Sequence, residues 1–296
     1  MSKMHEQEIV SDEAQVSRLL ASQFPEWAEL PIARIETTGT VNALYRLGDD
    51  LVARLPRTDW AKGAIDRQLG WLPHIAPAVR VEVPMPLAKG VPGEGFPSAW
   101  GVYPWLEGEN PVENQLSDAE GMAKDLAGFI RALHALDLPG GPPAGRGATL
   151  KRWDEPARAA LVELEGVIDT DAARAAWEIS LTAPEWPGPP AWIHGDVMPG
   201  NLLVRDGRLS AVIDWEAFGT GDPATDLMVA WNLLPAEARA VFRAELEVDD
   251  DTWARGRRWA LWTGLLALPY YKETNPIFAE NARYRIGEVL ADVSSA

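Results

Sequence analysis

Between Ser11 and Phe24, Val16, Leu19, Leu20 and Phe24 recur at helical spacing, and the segment predicts an amphipathic helix. The period then shortens. Ala33–Ile35, Ala43–Leu47 and Leu51–Leu55 read as strands, with Gly48-Asp49-Asp50 turning between the last two. A helix is expected over Trp60–Ile75. Further strands are expected at Val81–Val83 and Trp100–Trp105, separated by a Pro/Gly-rich loop from Val91 to Pro97. After Glu107 the helical period dominates. Ser117-Asp118-Ala119-Glu120 has the capping-box pattern and opens a helix with Met122, Leu126, Phe129, Ile130 and Leu133 on one face.

Gly140–Gly147 follows no strand and reads as a connector. Helices are expected over Pro156–Ile168 and Ala172–Leu181. From Thr225 nearly to Val293 the pattern is helical, with breaks near Pro235, Asp249–Asp251 and Asn275-Pro276. The order predicts an α+β chain of two lobes. Residues 1–105 form a small lobe with an antiparallel sheet, and residues 106–296 form a mainly helical lobe, joined by a hinge near Val102–Glu107.

One β-signal interrupts the helical half. Leu202-Leu203-Val204 is an apolar run, Asp206-Gly207 is a strong two-residue hairpin turn, and Leu209–Ile213 is a second run of strand length. If Arg205 pairs with Arg208 and Val204 with Leu209, counting on places Asp214 opposite Pro199, between Asp196 and Asn201. Two carboxylates and an amide would then gather at one end of a hairpin. Mg²⁺ prefers hard oxygen ligands, which a carboxylate and an amide on adjacent strands can supply. A further carboxylate, free of metal, can accept a hydroxyl proton. Phosphoryl transfer needs this set.

Composition narrows the alternatives. The chain has 296 residues, 47% of them apolar, enough for a sizeable core. It has no cysteine, which excludes disulfides and thiolate ligands or nucleophiles. The polar Met1–Val10 lacks a signal core. The apolar stretch Trp259–Tyr271, interrupted by Gly264 and Pro269, is shorter than the ~20 residues a bilayer span requires and reads as a buried helix. The expected location is cytoplasmic. A formal charge of −17 argues against binding to nucleic acid or to an anionic membrane. It is compatible with a cationic substrate and equally with acidity that serves only solubility.

The segment His194-Gly195-Asp196-Val197-Met198-Pro199-Gly200-Asn201, followed by Ile213-Asp214-Trp215 and Gly221-Asp222-Pro223-Ala224-Thr225-Asp226, resembles the catalytic loop of the aminoglycoside/macrolide phosphotransferase family, a branch of the protein-kinase-like fold. The resemblance implies Asp196 as catalytic base and Asn201 and Asp214 as Mg²⁺ ligands. It implies that His194 braces the loop and that Asp222 and Asp226 tie the following segment to it. In the first lobe, Thr38-Gly39-Thr40-Val41-Asn42 looks like the family's nucleotide loop, giving Thr38, Gly39, Thr40 and Asn42 as candidate contacts to ATP or GTP. Val102-Tyr103-Pro104-Trp105 looks like the hinge, giving Tyr103 and Trp105. Leu51-Val52-Ala53-Arg54 stands where kinases carry a strand ending in Lys, so Arg54 is the candidate phosphate contact. Gln68 occupies the position expected for its Glu partner, and Asp66 lies on another helix face.

The implied activity is a nucleotide- and Mg²⁺-dependent kinase acting on a hydroxyl of an antibiotic-like small molecule. Glu107, Glu109, Glu113 and Glu273 are candidates to meet a cationic acceptor. The alternatives are a metabolic kinase of the same fold, acting on a sugar or amino alcohol, and a non-catalytic nucleotide-binding module. A metal-dependent phosphohydrolase would normally need more ligands than the four histidines and this carboxylate set suggest. His134, beside the apolar stripe of its helix, reads as a core histidine.

Overall fold

The structure is a computed structural model and describes residues 9–35, 41–58, 63–113 and 115–294. The chain forms two compact units. One takes the residues up to Pro77 together with Glu82–Glu107; the other takes Ala78–Val81 and Gly108 onwards.

In the first unit α1 (Glu13–Gln23) starts at Asp12, whose carboxylate accepts the Gln15 N–H at 2.7 Å. Strands β1 (Ile32–Ile35), β2 (Asn42–Leu47) and β3 (Leu51–Pro56) form a meander. Helix α2 (Ala64–Ile75) follows, then β4 (Ala88–Gly90) and β5 (Trp100–Pro104). The sheet order is β1-β2-β3-β5-β4, antiparallel throughout. Val16, Leu19 and Leu20 of α1 pack on one face of the sheet against Tyr45, Leu47, Leu55, Trp100 and Val102. Buried Tyr45 keeps its hydroxyl satisfied by Ser11 Oγ at 2.9 Å.

Two expectations change here. Val81–Val83 is not a strand, and the fourth strand lies at Ala88–Gly90 instead. Pro84 and Pro86 explain this, since neither can donate to a ladder. Helix α2 is shorter than the expected Trp60–Ile75, beginning at Ala64 after Gly63, and residues 60–62 lie outside the described residues.

The second unit is mainly helical: α3 (Ala119–His134), α4 (Asp154–Glu163), α5 (Thr170–Thr182), α6 (Val229–Asn232), α7 (Ala236–Leu246), α8 (Asp250–Tyr271) and α9 (Pro276–Ser294). The N-cap of α3 is Asp118, which accepts the Gly121 N–H at 2.8 Å, and not Ser117. A carboxylate there also meets the positive end of the helix dipole. Met122, Leu126, Phe129, Ile130 and Leu133 are all buried, as their spacing requires. α8 carries the apolar stretch Trp259–Leu268 and packs along α9, where Gly264 admits Ile286 closely enough that a Cβ would stand 2.8 Å from it. Among the described residues no helix is long and apolar enough to cross a membrane. Between α5 and α6 run two small antiparallel pairs. β6 (Ala191–Ile193) pairs with β9 (Gly219–Gly221), and β7 (Leu202–Arg205) pairs with β8 (Arg208–Val212). This architecture, an antiparallel sheet unit followed by a helical unit with an embedded hairpin, is the kinase-like α+β fold.

Candidate active site

The β7–β8 hairpin turns at Asp206 and Gly207, with φ of 53° and 75°, the pair of left-handed residues a type I′ turn demands. Arg205 faces Arg208 and Val204 faces Leu209, as counting from the turn predicts. The register then shifts. Ser210 is an extra residue, so Leu203 pairs with Ala211 and Leu202 with Val212. Its hydroxyl turns back onto the Leu203 carbonyl at 3.0 Å. The bulge corrects the expected pairing of Asp214 with Pro199. Ile213 N–H instead reaches the Asn201 carbonyl at 2.9 Å, which brings Asp214 level with Gly200.

A neighbouring segment steadies the loop before β7. Glu109 exchanges backbone hydrogen bonds with Val204 at 3.0 and 2.8 Å. The Asn110 amide donates to the carbonyls of Leu202 at 2.8 Å and Gly200 at 3.1 Å. Sequence reasoning passed over Asn110, because nothing local marks an asparagine that bonds 92 residues away.

His194, at the end of β6, is fully buried. Its Nδ1 accepts the Asp196 N–H at 3.3 Å, so Nε2 carries the proton and donates to the Ile213 carbonyl at 3.1 Å. The ring joins the segment after β6 to the one after β8 and stands edge-on to Trp215, 4.8 Å between centroids. Gly195 follows with φ +78°, and a Cβ there would come within 3.0 Å of the Ala217 carbonyl. Asp226, with no exposed surface, accepts the N–H groups of His194 at 3.1 Å and Gly195 at 2.8 Å, and takes His134 Nε2 at 3.1 Å. His134 is thus a half-buried histidine hydrogen-bonded to Asp226, at the edge of the core and not within it.

Asp222 caps the turn at Pro223–Met228 by accepting the Ala224 N–H at 3.0 Å, and pairs with buried Arg255 at 3.0 Å. Burial pushes the Asp222 carboxyl up from its ordinary value, against the opposing pull of that hydrogen bond and of Arg255. The buried arginines carried no sequence signal, since isolated Arg residues in helices read as surface.

Asn201 and Asp196 meet directly. Asn201 Nδ2 donates to the Asp196 carbonyl at 2.8 Å and to its Oδ2 at 3.3 Å. Both partners are acceptors, which fixes the amide nitrogen on that side and leaves the side-chain oxygen of Asn201 turned away from Asp196. Asp214 sits at φ 63°, a left-handed conformation that Asp tolerates better than most residues. Among the described residues no three His, Cys, Asp or Glu side chains gather as a metal cage. An amide oxygen and a carboxylate nevertheless fit Mg²⁺, which is commonly held by one or two protein oxygens with water and phosphate completing the octahedron.

The connector Gly140–Gly147 reaches this site. Ala144 donates to Thr220 at 3.0 Å, Gly145 to Ala217 at 2.8 Å, and Asp222 to Gly147 at 3.0 Å, so the loop is stitched along β9. Between its two glycines, Arg146 donates from Nη1 to Asp196 Oδ1 and to the Gly195 carbonyl, the latter at 3.1 Å. Arg285 on α9 is buried, hydrogen-bonded to Thr263 at 2.8 Å and Asn281 at 3.1 Å. Burial pushes its pKa down to about 10, partly offset by the charge of Asp196. Glu113 also lies within electrostatic reach of Arg285 and of Tyr284.

Of the first-unit candidates, Thr38, Gly39 and Thr40 lie outside the described residues. Asn42 opens β2 opposite Pro56. Arg54 lies on β3 opposite Gly101, its guanidinium 5.2 Å from the Tyr103 ring. The Tyr103 hydroxyl donates to buried Gln68 at 2.6 Å. Arg54 and Gln68 are therefore linked through the Tyr103 ring, at the two positions where the kinase resemblance implies a Lys and its Glu partner. Trp105 donates its N–H to the Asp50 carbonyl at 2.7 Å, and Arg46 covers its ring at 3.8 Å. That N–H is committed within the unit. Glu107 faces Arg46 at 3.6 Å, and Glu273 is exposed.

Residues 33–259 match the family described as phosphotransferase enzyme family, and the chain belongs to it. A curated relative, the uncharacterized protein YcbJ of Bacillus subtilis (strain 168), is 25% identical over 181 residues, covering 59% of this chain and 55% of the relative. The match thus spans about half the length of that relative. Among solved structures, the fold is similar to the GDP complex of a mutant aminoglycoside 2′-phosphotransferase-IIIa (TM-score 0.75, 18% identity, 96% and 99% of the two chains). It is also similar to macrolide 2′-phosphotransferase type I (TM-score 0.63, 19% identity, 94% and 98%). A third is the apoenzyme of macrolide 2′-phosphotransferase MphH from Brachybacterium faecium (TM-score 0.58, 23% identity, 92% and 97%).

Proposed function

We propose that this chain transfers the γ-phosphoryl group of ATP or GTP to a hydroxyl of a small, antibiotic-like acceptor of aminoglycoside or macrolide type. Asp196 is the base, and Asn201 and Asp214 are the Mg²⁺ ligands. The observation that supports it best is the Asn201–Asp196 contact. The amide nitrogen is spent on the Asp196 carbonyl and Oδ2, so the amide oxygen is the atom left for metal. Asp196 itself, about one-fifth exposed, remains open to an incoming hydroxyl.

Asp196 accepts a hydrogen bond from the acceptor hydroxyl and orients its oxygen. As the O–P bond forms and the γ-phosphoryl leaves the nucleoside diphosphate, the hydroxyl proton passes to the carboxylate. Asn201 and Asp214 would hold Mg²⁺, which would supply charge neutralisation at the nucleotide phosphates. Arg54 on β3 is the candidate phosphate contact of the first unit, and Thr38, Gly39, Thr40, Asn42, Tyr103 and Trp105 are its candidate nucleotide contacts. With Trp105 N–H bound to Asp50, its carbonyl is the hinge group left to meet a base. The chain's net charge of −17 favours a cationic acceptor.

The pairing of Glu107 with Arg46, and the electrostatic reach of Glu113 to Arg285, favour a second reading: a metabolic kinase of the same fold whose acceptor is a neutral sugar or an amino alcohol. An acceptor screen at fixed MgATP or MgGTP, read by the mass shift of the product, tests both. Phosphorylation of kanamycin-type or macrolide acceptors is expected. Phosphorylation of sugars alone transfers the assignment to the second reading, and nucleotide binding without any product overturns both.

A further inference from the structure

Arg146 lies outside every motif and 50 residues from Asp196, yet its guanidinium grips the carboxylate of the proposed base. The grip is built into the backbone. Gly145 and Gly147 flank Arg146, and both are hydrogen-bonded to the β9 region. Gly147 has φ +98°, and a Cβ there would come within 2.7 Å of Ile193 and 3.2 Å of the Asp222 nitrogen. No ordinary side chain fits that position, so the loop holds one path and presents Arg146 to Asp196. A second bond from the same Nη1, to the Gly195 carbonyl at 3.1 Å, ties that nitrogen to the backbone next to Asp196.

The two carboxylate oxygens thereby differ. Oδ1 is taken by Arg146, and among the described residues Oδ2 keeps only the longer contact from Asn201. A carboxylate has about four lone-pair sites, so Oδ2 retains room for one more donor. The Nε and Nη2 groups of Arg146 make no hydrogen bond to the described residues. Its side chain is about 29% exposed, so its grip costs little desolvation.

We propose that Arg146 is the positioning residue of the phosphotransferase reaction: it locks the Asp196 carboxylate in one rotamer, so that Oδ2 faces the acceptor hydroxyl. Asn201 cannot do this alone, because it must also present its oxygen to metal. The inference rests on Asp196 being the base. It assigns to Arg146 an effect on turnover and not on nucleotide or acceptor affinity, because no substrate contact is asked of it.

The test uses the full chain with MgATP or MgGTP and, as probes, kanamycin and a macrolide, in the wild type, Arg146→Ala and Arg146→Lys. Kinetics are run with and without guanidinium chloride at a non-denaturing concentration. Crystal structures of the wild type and of Arg146→Ala are compared at Asp196. Arg146→Ala is expected to lower kcat about 10–100-fold, the scale on which a small misplacement of a reacting group acts. Both KM values should stay within about twofold. Added guanidinium should restore part of the loss, Arg146→Lys should fall between, and the carboxylate should leave its rotamer in the alanine variant. An unchanged kcat, or a loss that follows KM or the melting temperature and ignores guanidinium, overturns the role of Arg146 and leaves the proposed function standing. A wild type without turnover on any acceptor overturns the function. In that case an Asp196 carboxylate that stays in place in Arg146→Ala overturns the positioning role as well, and one that moves supports it.

Discussion

Asp226 Oδ1 accepts the backbone N–H of Gly195 at 2.8 Å, and its other oxygen takes the N–H of His194. A carboxylate 31 residues downstream therefore holds the two peptides immediately before Asp196. The carboxylate is fully buried, and among the described residues these bonds and His134 compensate its burial.

Asp226→Asn places an NH₂ where one backbone N–H now donates. One hydrogen bond is lost and a donor faces a donor. The expected loss of stability is about 1–3 kcal/mol, measured as a shift in the urea midpoint at constant m-value. Asp226→Ala should cost more. A midpoint unchanged in both variants would show that the loop holds itself.

Asp196→Asn keeps size and hydrogen-bonding shape but removes proton-accepting capacity. A fall in kcat of about 10²–10⁴ is expected, with nucleotide affinity close to wild type by calorimetry. Retained turnover excludes Asp196 as base.

Asp214 is held at positive φ, so its substitution must respect the backbone. Asn tolerates that conformation and Ala does not. Asp214→Asn is expected to fold normally and to lose most of the Mg²⁺ dependence of nucleotide binding. Asp214→Ala should lose stability in addition. Calorimetric titrations with and without Mg²⁺ decide the ligand assignment, which fails if the difference between them survives in Asp214→Asn.

A cationic acceptor drawn by exposed carboxylates should bind less tightly as salt rises, since exposed pairs contribute about 0–1 kcal/mol each and are screened beyond about 8 Å at physiological ionic strength. Acceptor KM is expected to climb between low and high salt while kcat stays level. A flat KM favours the neutral acceptor.

Burial pushes the Tyr284 hydroxyl up to about 12 from 10.0, and the hydroxyl has no hydrogen-bond partner among the described residues. The native state therefore favours the protonated phenol. That contribution is fully present below pH 10 and is lost as pH rises towards 12. Tyr284→Phe should be close to neutral for stability at pH 7, because no bond is broken. It should soften the alkaline fall of stability and remove one late-titrating tyrosine from the ultraviolet titration. An alkaline profile identical to wild type would show that another group, such as buried Tyr45, governs it.

The sequence by itself determined what depends on neighbours along the chain. Asp206-Gly207 adopts the left-handed pair its residues prefer, the apolar stripes of α1 and α3 are buried as their spacing requires, and the His194–Asn201 segment carries its own local bonds. Tertiary structure decided the rest. The Ser210 bulge, which moves Asp214 by one position, follows from fitting β8 to its surroundings and has no glycine or proline to announce it. The connector that brings Arg146 to Asp196 is placed by β9, seventy-odd residues further on, and the fourth strand formed where β5 offered an edge, at Ala88–Gly90. Backbone preference acts over a few residues and is written in them. A charge that meets its partner across 50 residues is selected by packing, and in the sequence it looks like any other surface arginine.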